Sequence, residues 1–295
     1  MRPDAFAAVM ATGIVSIAAR DHGLVVISDV LAVVAVGLLA VLVLAAVVWL
    51  RPDVGDPAVS LGLLTFVAAC AVVGTRLNWW PLGAVGLLGW LLLLPLAARA
   101  LWRSRWTGLV DRARGGWELA GVSTSGLAIV AADVGAVGLA VALLALAICL
   151  YCMMTGLVLW RAVRWPWSVE LLQPDLWILM GGAAIATLAG DHIHSAGVPG
   201  IRPVTVLTWL VASGWVPILA AASVRMRGGN WWAAVFPLGM YSSATFATGV
   251  ETGWQPLRTV SLVFFWIAFA AWLLACARWV GGRRPRISAP APPAR

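Results

Sequence analysis

Ten apolar runs, parted by charged residues, leave this chain few folds to adopt. They lie at 5–19, 30–50, 57–75, 77–98, 119–132, 134–160, 176–190, 203–224, 230–250 and 259–277. A helix needs about 20 apolar residues to cross about 30 Å of hydrocarbon, and only helices and closed barrels satisfy their backbones there. The runs therefore predict an all-α integral membrane protein with ten transmembrane helices. Charged residues make up only 11% of the chain, against about 25% in soluble domains. The first run has little basic sequence before it and reads as a span, not as a cleaved leader. Cys70, Cys149, Cys152 and Cys276 all lie inside runs, where a disulfide framework is not expected. Cys149 and Cys152 read as helix packing beside Met153 and Met154, not as a redox or zinc motif.

The charges between runs set the orientation. With ten spans, both termini share a side that carries sixteen arginines, while the other side carries Arg20, Arg76, Arg202 and Arg258. Such a bias places the termini in the cytoplasm of a cell-membrane protein. It also explains the net charge of +8 without nucleic acid. Residues 1–280 form one transport domain, and the basic, Pro-rich stretch 281–295 reads as a disordered cytoplasmic tail.

Odd and even spans differ in kind. The first, fifth and seventh are short and carry Thr12, Gly13 and Ser16; Ser123, Thr124 and Ser125; and Gly182 and Thr187. Thr65 lies on the third. The second and fourth have neither Ser nor Thr. Short, polar, Gly-rich helices suit an inner ring that opens into wet vestibules, and long apolar ones suit an outer ring facing lipid. The architecture implied is five helical hairpins around a central pore. A faint repeat matches Phe6, Met10, Thr12, Asp21 and Gly23 with Phe236, Met240, Ser242, Glu251 and Gly253 at an offset of 230, and suggests that inner helices run in one direction.

The ninth span is the most polar. Ser242, Ser243, Thr245 and Thr248 sit among Pro237, Gly239 and Gly249, with no charge between Arg227 and Glu251. It reads as pore-lining. Phe236 stands just before the proline, where a bend is expected. On a 3.6-residue period Phe236, Gly239 and Ser243 share one stripe and Ser242, Thr245 and Gly249 an adjacent one, so the two cannot both face the pore squarely.

The segments FAAVMATGIVSIA (6–18), PDLWILMGGAAIATLAG (174–190) and WWAAVFPLGMYSSATFATG (231–249) resemble the tellurite-resistance/dicarboxylate transporter family. That family also includes fungal malate and sulfite transporters and plant slow-type anion channels. The resemblance covers all ten spans and implies ten helices in five hairpins, a homotrimer with one pore per protomer, and an occluding phenylalanine that falls on Phe236. The expected cargo is a small anion, with a C4-dicarboxylate such as malate leading. A sulfite or tellurite-related oxyanion exporter and a halide or nitrate channel are the alternatives.

Three features compete with this reading. Asp191, His192 and His194 read as a loop after the seventh span, able in principle to bind metal or titrate near neutral pH. Glu118 and Asp133 border the fifth span and are the candidates for a proton-coupling carboxylate. An intramembrane redox or metal-dependent protein is disfavoured, because Cys149 and Cys152 have no charged partner to lower their pKa. The expectation is a transporter or channel, not an enzyme, with no cofactor and no metal. No span interior holds an arginine, so an anion would depend on hydroxyls, backbone amides and helix dipoles.

Overall fold

The structure is a computed structural model that describes residues 3–49, 51–104, 106–164, 171–226 and 228–281. Arg2, Arg105, Arg227 and the tail from residue 282 onward lie outside the described residues. Helices make up the fold: α1 (Ala7–Asp21), α2 (Val25–Trp49), α3 (Pro57–Leu77), α4 (Trp80–Arg103), a short α5 (Trp106–Arg112), α6 (Leu119–Asp133), α7 (Val137–Arg164), α8 (Ile178–Ser195), α9 (Arg202–Ser223), α10 (Trp232–Thr252) and α11 (Gln255–Gly281). Turns of 3-10 helix at Gly115–Glu118 and Pro174–Trp177 lead into α6 and α8. Among the described residues no strand occurs.

Local chemistry sets several ends. Asp56 caps α3 by accepting from the Ala58 N–H at 2.9 Å, with Pro57 at the first helical position, where its missing donor costs nothing. Asn78 closes the same helix in the left-handed region. Gly253, at φ 74°, ends α10, a conformation that glycine reaches without penalty.

Helices α1, α3, α6, α8 and α10 each pack against two others, in the cyclic order α1–α3–α6–α8–α10 and back to α1. Small residues permit this closeness: the Gly13 Cα abuts Val72, and that of Gly239 abuts Ile14 and Val15. Around this ring α2, α4, α7, α9 and α11 lie outside. Each packs on the inner helix before it in the chain and touches the next inner helix as well. Burial separates the two sets. The best 18-residue windows of α3 and of Pro174–Ser195 are 78% and 83% buried, whereas those of the outer helices are 17–28% buried. Seven segments among the described residues are long and apolar enough to cross a membrane. At 15 residues each, α1 and α6 reach only about 22 Å. That falls short of the hydrocarbon thickness of about 30 Å.

Polar clamps join the outer helices to the ring. Trp90 on α4 donates to Thr124 at 2.9 Å, Trp209 on α9 to Thr245 at 3.1 Å, and Trp272 on α11 to Thr12 at 2.9 Å. Each links an outer helix to the following inner one. Within hairpins, Ser16 and Ser28 exchange hydroxyl-to-carbonyl hydrogen bonds, and Ser242 and Ser261 do the same. These reciprocal pairs make Ser16 the counterpart of Ser242. The offset of 230 aligns Thr12 there instead, so the repeat is real in the contacts but not at that constant spacing.

Trp272→Phe keeps an aromatic ring while removing the donor to Thr12. Inter-helix hydrogen bonds in membranes contribute about 0.6 kcal/mol and up to about 1.7 kcal/mol. The variant should unfold a few degrees earlier in detergent, with unchanged helix content. Equal melting temperatures would show that this clamp contributes nothing.

Candidate permeation pathway

All five ring helices begin around one cavity of about 340 Å³. Ala7 and Met10 of α1, Gly62 and Thr65 of α3, Trp117 and Leu119 at the start of α6, Ile178 of α8, and Ala233 and Phe236 of α10 line it. A second, smaller cavity of about 40 Å³ lies among the same helices, lined by Ile14, Ala71, Gly126, Ile185 and Met240 and reaching Thr75 and His192. On every ring helix the residue lining the first cavity precedes the residue lining the second. The five therefore run in the same direction, with N-terminal ends at the larger vestibule. Met10 and Ile14 are one turn apart, as are Phe236 and Met240, so the two spaces are separated by about 5 Å of helix.

Phe236 sits at this division and is 2% exposed. Pro237, inside α10, has no N–H, so the Ala233 carbonyl lacks its usual partner four residues on. Ala233 and Phe236 both line the vestibule, so the break in the helical hydrogen-bond ladder and the apolar ring fall on one wall. The division itself is dry: Met10, Ile14, Ile185, Met240 and Phe236 are all buried and carry no hydrogen-bonding side chain.

The charge arrangement around the vestibule is mixed. Five helix N-termini bring partial positive charge, and Arg114 adds a full one. Asp4, Asp56 and Asp175 also line the space, and each is held by donors. Asn230 donates to Asp4 at 2.8 Å, Ala58 N–H to Asp56, and Gly116 N–H to Asp175 at 3.2 Å, with the Arg114 Nε at 3.8 Å from Asp175. At the opposite end, Asp21, Asp133, Asp191 and Glu251 cluster near the C-terminal ends of α1, α6, α8 and α10. His192 bonds Asp133 at 2.6 Å, while Arg202 and His194 lie 3.8 and 4.0 Å from Glu251.

Most of the small polar residues singled out by sequence sit at helix seams. Thr12, Ser16, Thr124, Thr187, Ser242 and Thr245 bond to α11, α2, α4, α9, α11 and α9 respectively. Gly13, Gly182 and Gly239 abut Val72, Tyr151 and Ile14. Ser123 bonds the Ala120 carbonyl in its own helix, and Ser125 is buried. Ser243 faces Asp21. Thr65 alone of the hydroxyl candidates lines either cavity. Of the two α10 stripes, the one with Ser242 and Thr245 turns to neighbouring outer helices, and the one with Phe236 turns inward.

Two expectations are corrected. Asp191, His192 and His194 do not form a loop: they are the last turns of α8, and His192 reaches the smaller cavity. Their apolar neighbours continue the helical pattern through Ile193, which is fully buried. Cys149 and Cys152 are exposed on α7 and are not packed into the bundle. Sequence reading missed Met10, Ile14, Ile185 and Met240 as lining residues, and no signal could have found them, because an apolar side chain facing a lumen reads like one in a core. Among the described residues no cluster of His, Cys, Asp and Glu is arranged to hold a metal.

A family model described as voltage-dependent anion channel matches residues 1–280. Two uncharacterized membrane proteins of Mycobacterium tuberculosis, from strains CDC 1551 and H37Rv, are each 28% identical over 142 residues, covering 42% of this chain and 72% of theirs.

Proposed function

Because this chain belongs to the voltage-dependent anion channel family, we propose that it passes small anions across the cell membrane through the lumen of the ring, with Phe236 as the gate. The observation that carries this reading is the pair of cavities lined by the same five helices on either side of Phe236. An apolar ring at a dry division blocks an ion both sterically and by excluding water. Ten crossings in five hairpins over residues 1–280, cytoplasmic termini and a homotrimer complete the proposal. The vestibule then faces the cytoplasm, and the acidic end of the ring faces outward.

A C4-dicarboxylate such as malate remains the leading cargo by resemblance, and the 340 Å³ vestibule has room for one. A second reading, a halide or nitrate channel, draws on the smaller cavity. Its 40 Å³ holds only a few water-sized bodies, since one needs about 10–15 Å³. Flux from proteoliposomes across a panel of malate, sulfite, nitrate and chloride separates these. Failure to move any of the four would end the anion reading.

Orientation has its own test. In a background lacking the four native cysteines, His194→Cys should react with an impermeant thiol reagent in intact cells and Ser288→Cys should not. External labelling of Ser288→Cys would reverse the topology.

A further inference from the structure

Glu118 is a buried acid for which anion passage, as described so far, has no use. It ends the 3-10 turn before α6, between Trp117 and Leu119, both of which line the vestibule. Its own side chain turns the other way, towards α7 and α8, and the residue is 0% exposed. One carboxyl oxygen accepts a hydrogen bond from Thr155 on α7. The other, Oε2, is buried without a hydrogen-bond partner.

Among the described residues no ion pair to Glu118 is found. Residues 119–132 of α6 and 178–190 of α8 contain no titratable side chain, and α3 has none before Cys70. From α7 come Tyr151, Cys152 and Arg161; the Arg161 Nη1 donates to the Ala113 carbonyl at 2.8 Å. On the neighbouring turns Arg114 lies beside Asp175. An ionised carboxylate in this position would be a desolvated charge held by one hydroxyl, whereas the protonated acid is neutral and can also donate.

Position links this group to the gate. Oε2 lies 3.5 Å from the point a Gly182 Cβ would occupy, and the adjacent Gly181 abuts Pro237, with side-chain and backbone atoms 3.0–3.3 Å from its own Cβ position. Thus α8 is held between the carboxyl and the proline that follows Phe236.

We propose that Glu118 is a proton-binding site of the anion pathway, and that anions pass while it holds its proton. The proton neutralises a charge buried behind this wall of the lumen. Its loss leaves a negative charge one helix wall from the vestibule, and two like charges about 10 Å apart in a medium of effective dielectric about 20 lower passage roughly tenfold. This rests on the anion-passage reading, and the test separates the two.

Nitrate is a suitable probe because it does not titrate in the working range. Its flux from vesicles should fall about tenfold between about pH 5 and about pH 9, a range that includes documented buried carboxyls. Glu118→Gln should be flat at the acid-side level. The Asp133–His192 pair is common to both proteins, so only their difference reports Glu118. Thr155→Val removes the donor that favours the carboxylate and should move the midpoint to higher pH; it decides the matter if Glu118→Gln does not fold. Infrared difference spectra over the same range should show a carboxylic-acid C=O band that is absent in Glu118→Gln. That readout stands even if no anion moves, an outcome that would overturn anion passage alone. A flat wild-type profile, the same profile in Glu118→Gln, an unmoved midpoint in Thr155→Val, or no such band would each overturn the site.

Discussion

Phe236→Ala should raise anion flux by about tenfold or more, which corresponds to a barrier lower by about 1.4 kcal/mol. The ring separates a vestibule of about 340 Å³ from a cavity of about 40 Å³, with Met240 one turn further on. Removing it joins the two spaces and lets water past the driest part of the lumen. If the ring were only a packing element, its loss would cost about 3–5 kcal/mol by soluble precedent and leave permeability unchanged. Because one face borders the vestibule, the melting temperature should fall less than that figure implies. Phe236→Leu should give intermediate flux. A well-folded Phe236→Ala protein that moves every tested anion no faster than wild type would remove Phe236 from the gate.

The second large effect is on folding. A Cβ at Gly115 would lie 2.1 Å from the Asp175 carbonyl oxygen and 2.5 Å from the Leu176 Cα. Both are backbone atoms of the turn that starts α8, so no side-chain rotation relieves the clash. Overpacking typically costs about 1–3 kcal/mol, and a backbone obstacle puts Gly115→Ala at the upper end. The turns before α6 and α8 must separate, which also weakens the Gly116-to-Asp175 hydrogen bond at 3.2 Å. Lower yield and a melting temperature well below wild type are expected, most simply followed by fluorescence-detected gel filtration on heating. Gly116→Ala is the comparison, because its Cβ would meet only the Asp175 carboxyl, at 3.1 Å, and that side chain can move. Similar stability of the two variants would show that the turns tolerate separation.

Much of this architecture was legible in the sequence, because length and polarity report the solvent a helix meets. The 15-residue α1 and α6, with their hydroxyls and glycines, could not face lipid, and they lie in the ring. The run at 30–50, without Ser or Thr, could, and it lies outside as most of α2. Side-chain direction was less legible. A threonine on a ring helix satisfies its hydroxyl equally well towards water or towards a tryptophan on the next helix, and Thr12, Thr124 and Thr245 take the tryptophan. The lumen-facing Ile14 and Met240 carry no mark that separates them from core residues. Glu118 borders an apolar run as any interfacial acid would, and its burial depends on α7 and α8, which arrive later in the chain. His192 was hidden by local composition: two histidines and an aspartate read as solvated loop, although buried Ile193 continues the helix.

The clamp between Trp272 and Thr12 spans 260 residues, nearly the whole chain, and this bears on the order of synthesis. The ring closes only when α10 and α11 meet α1, which precedes the other ring helices in the chain and is, with α6, the shortest of them. Until then α1 has no neighbour on one side, and its Thr12 has only its own helix carbonyl at Ala8. The ring helix that precedes the others in the chain is therefore the last to reach its final environment, and must be retained at the insertion site or by its hairpin partner α2 meanwhile. The Ser16–Ser28 exchange, twelve residues apart, is available from the start to do so.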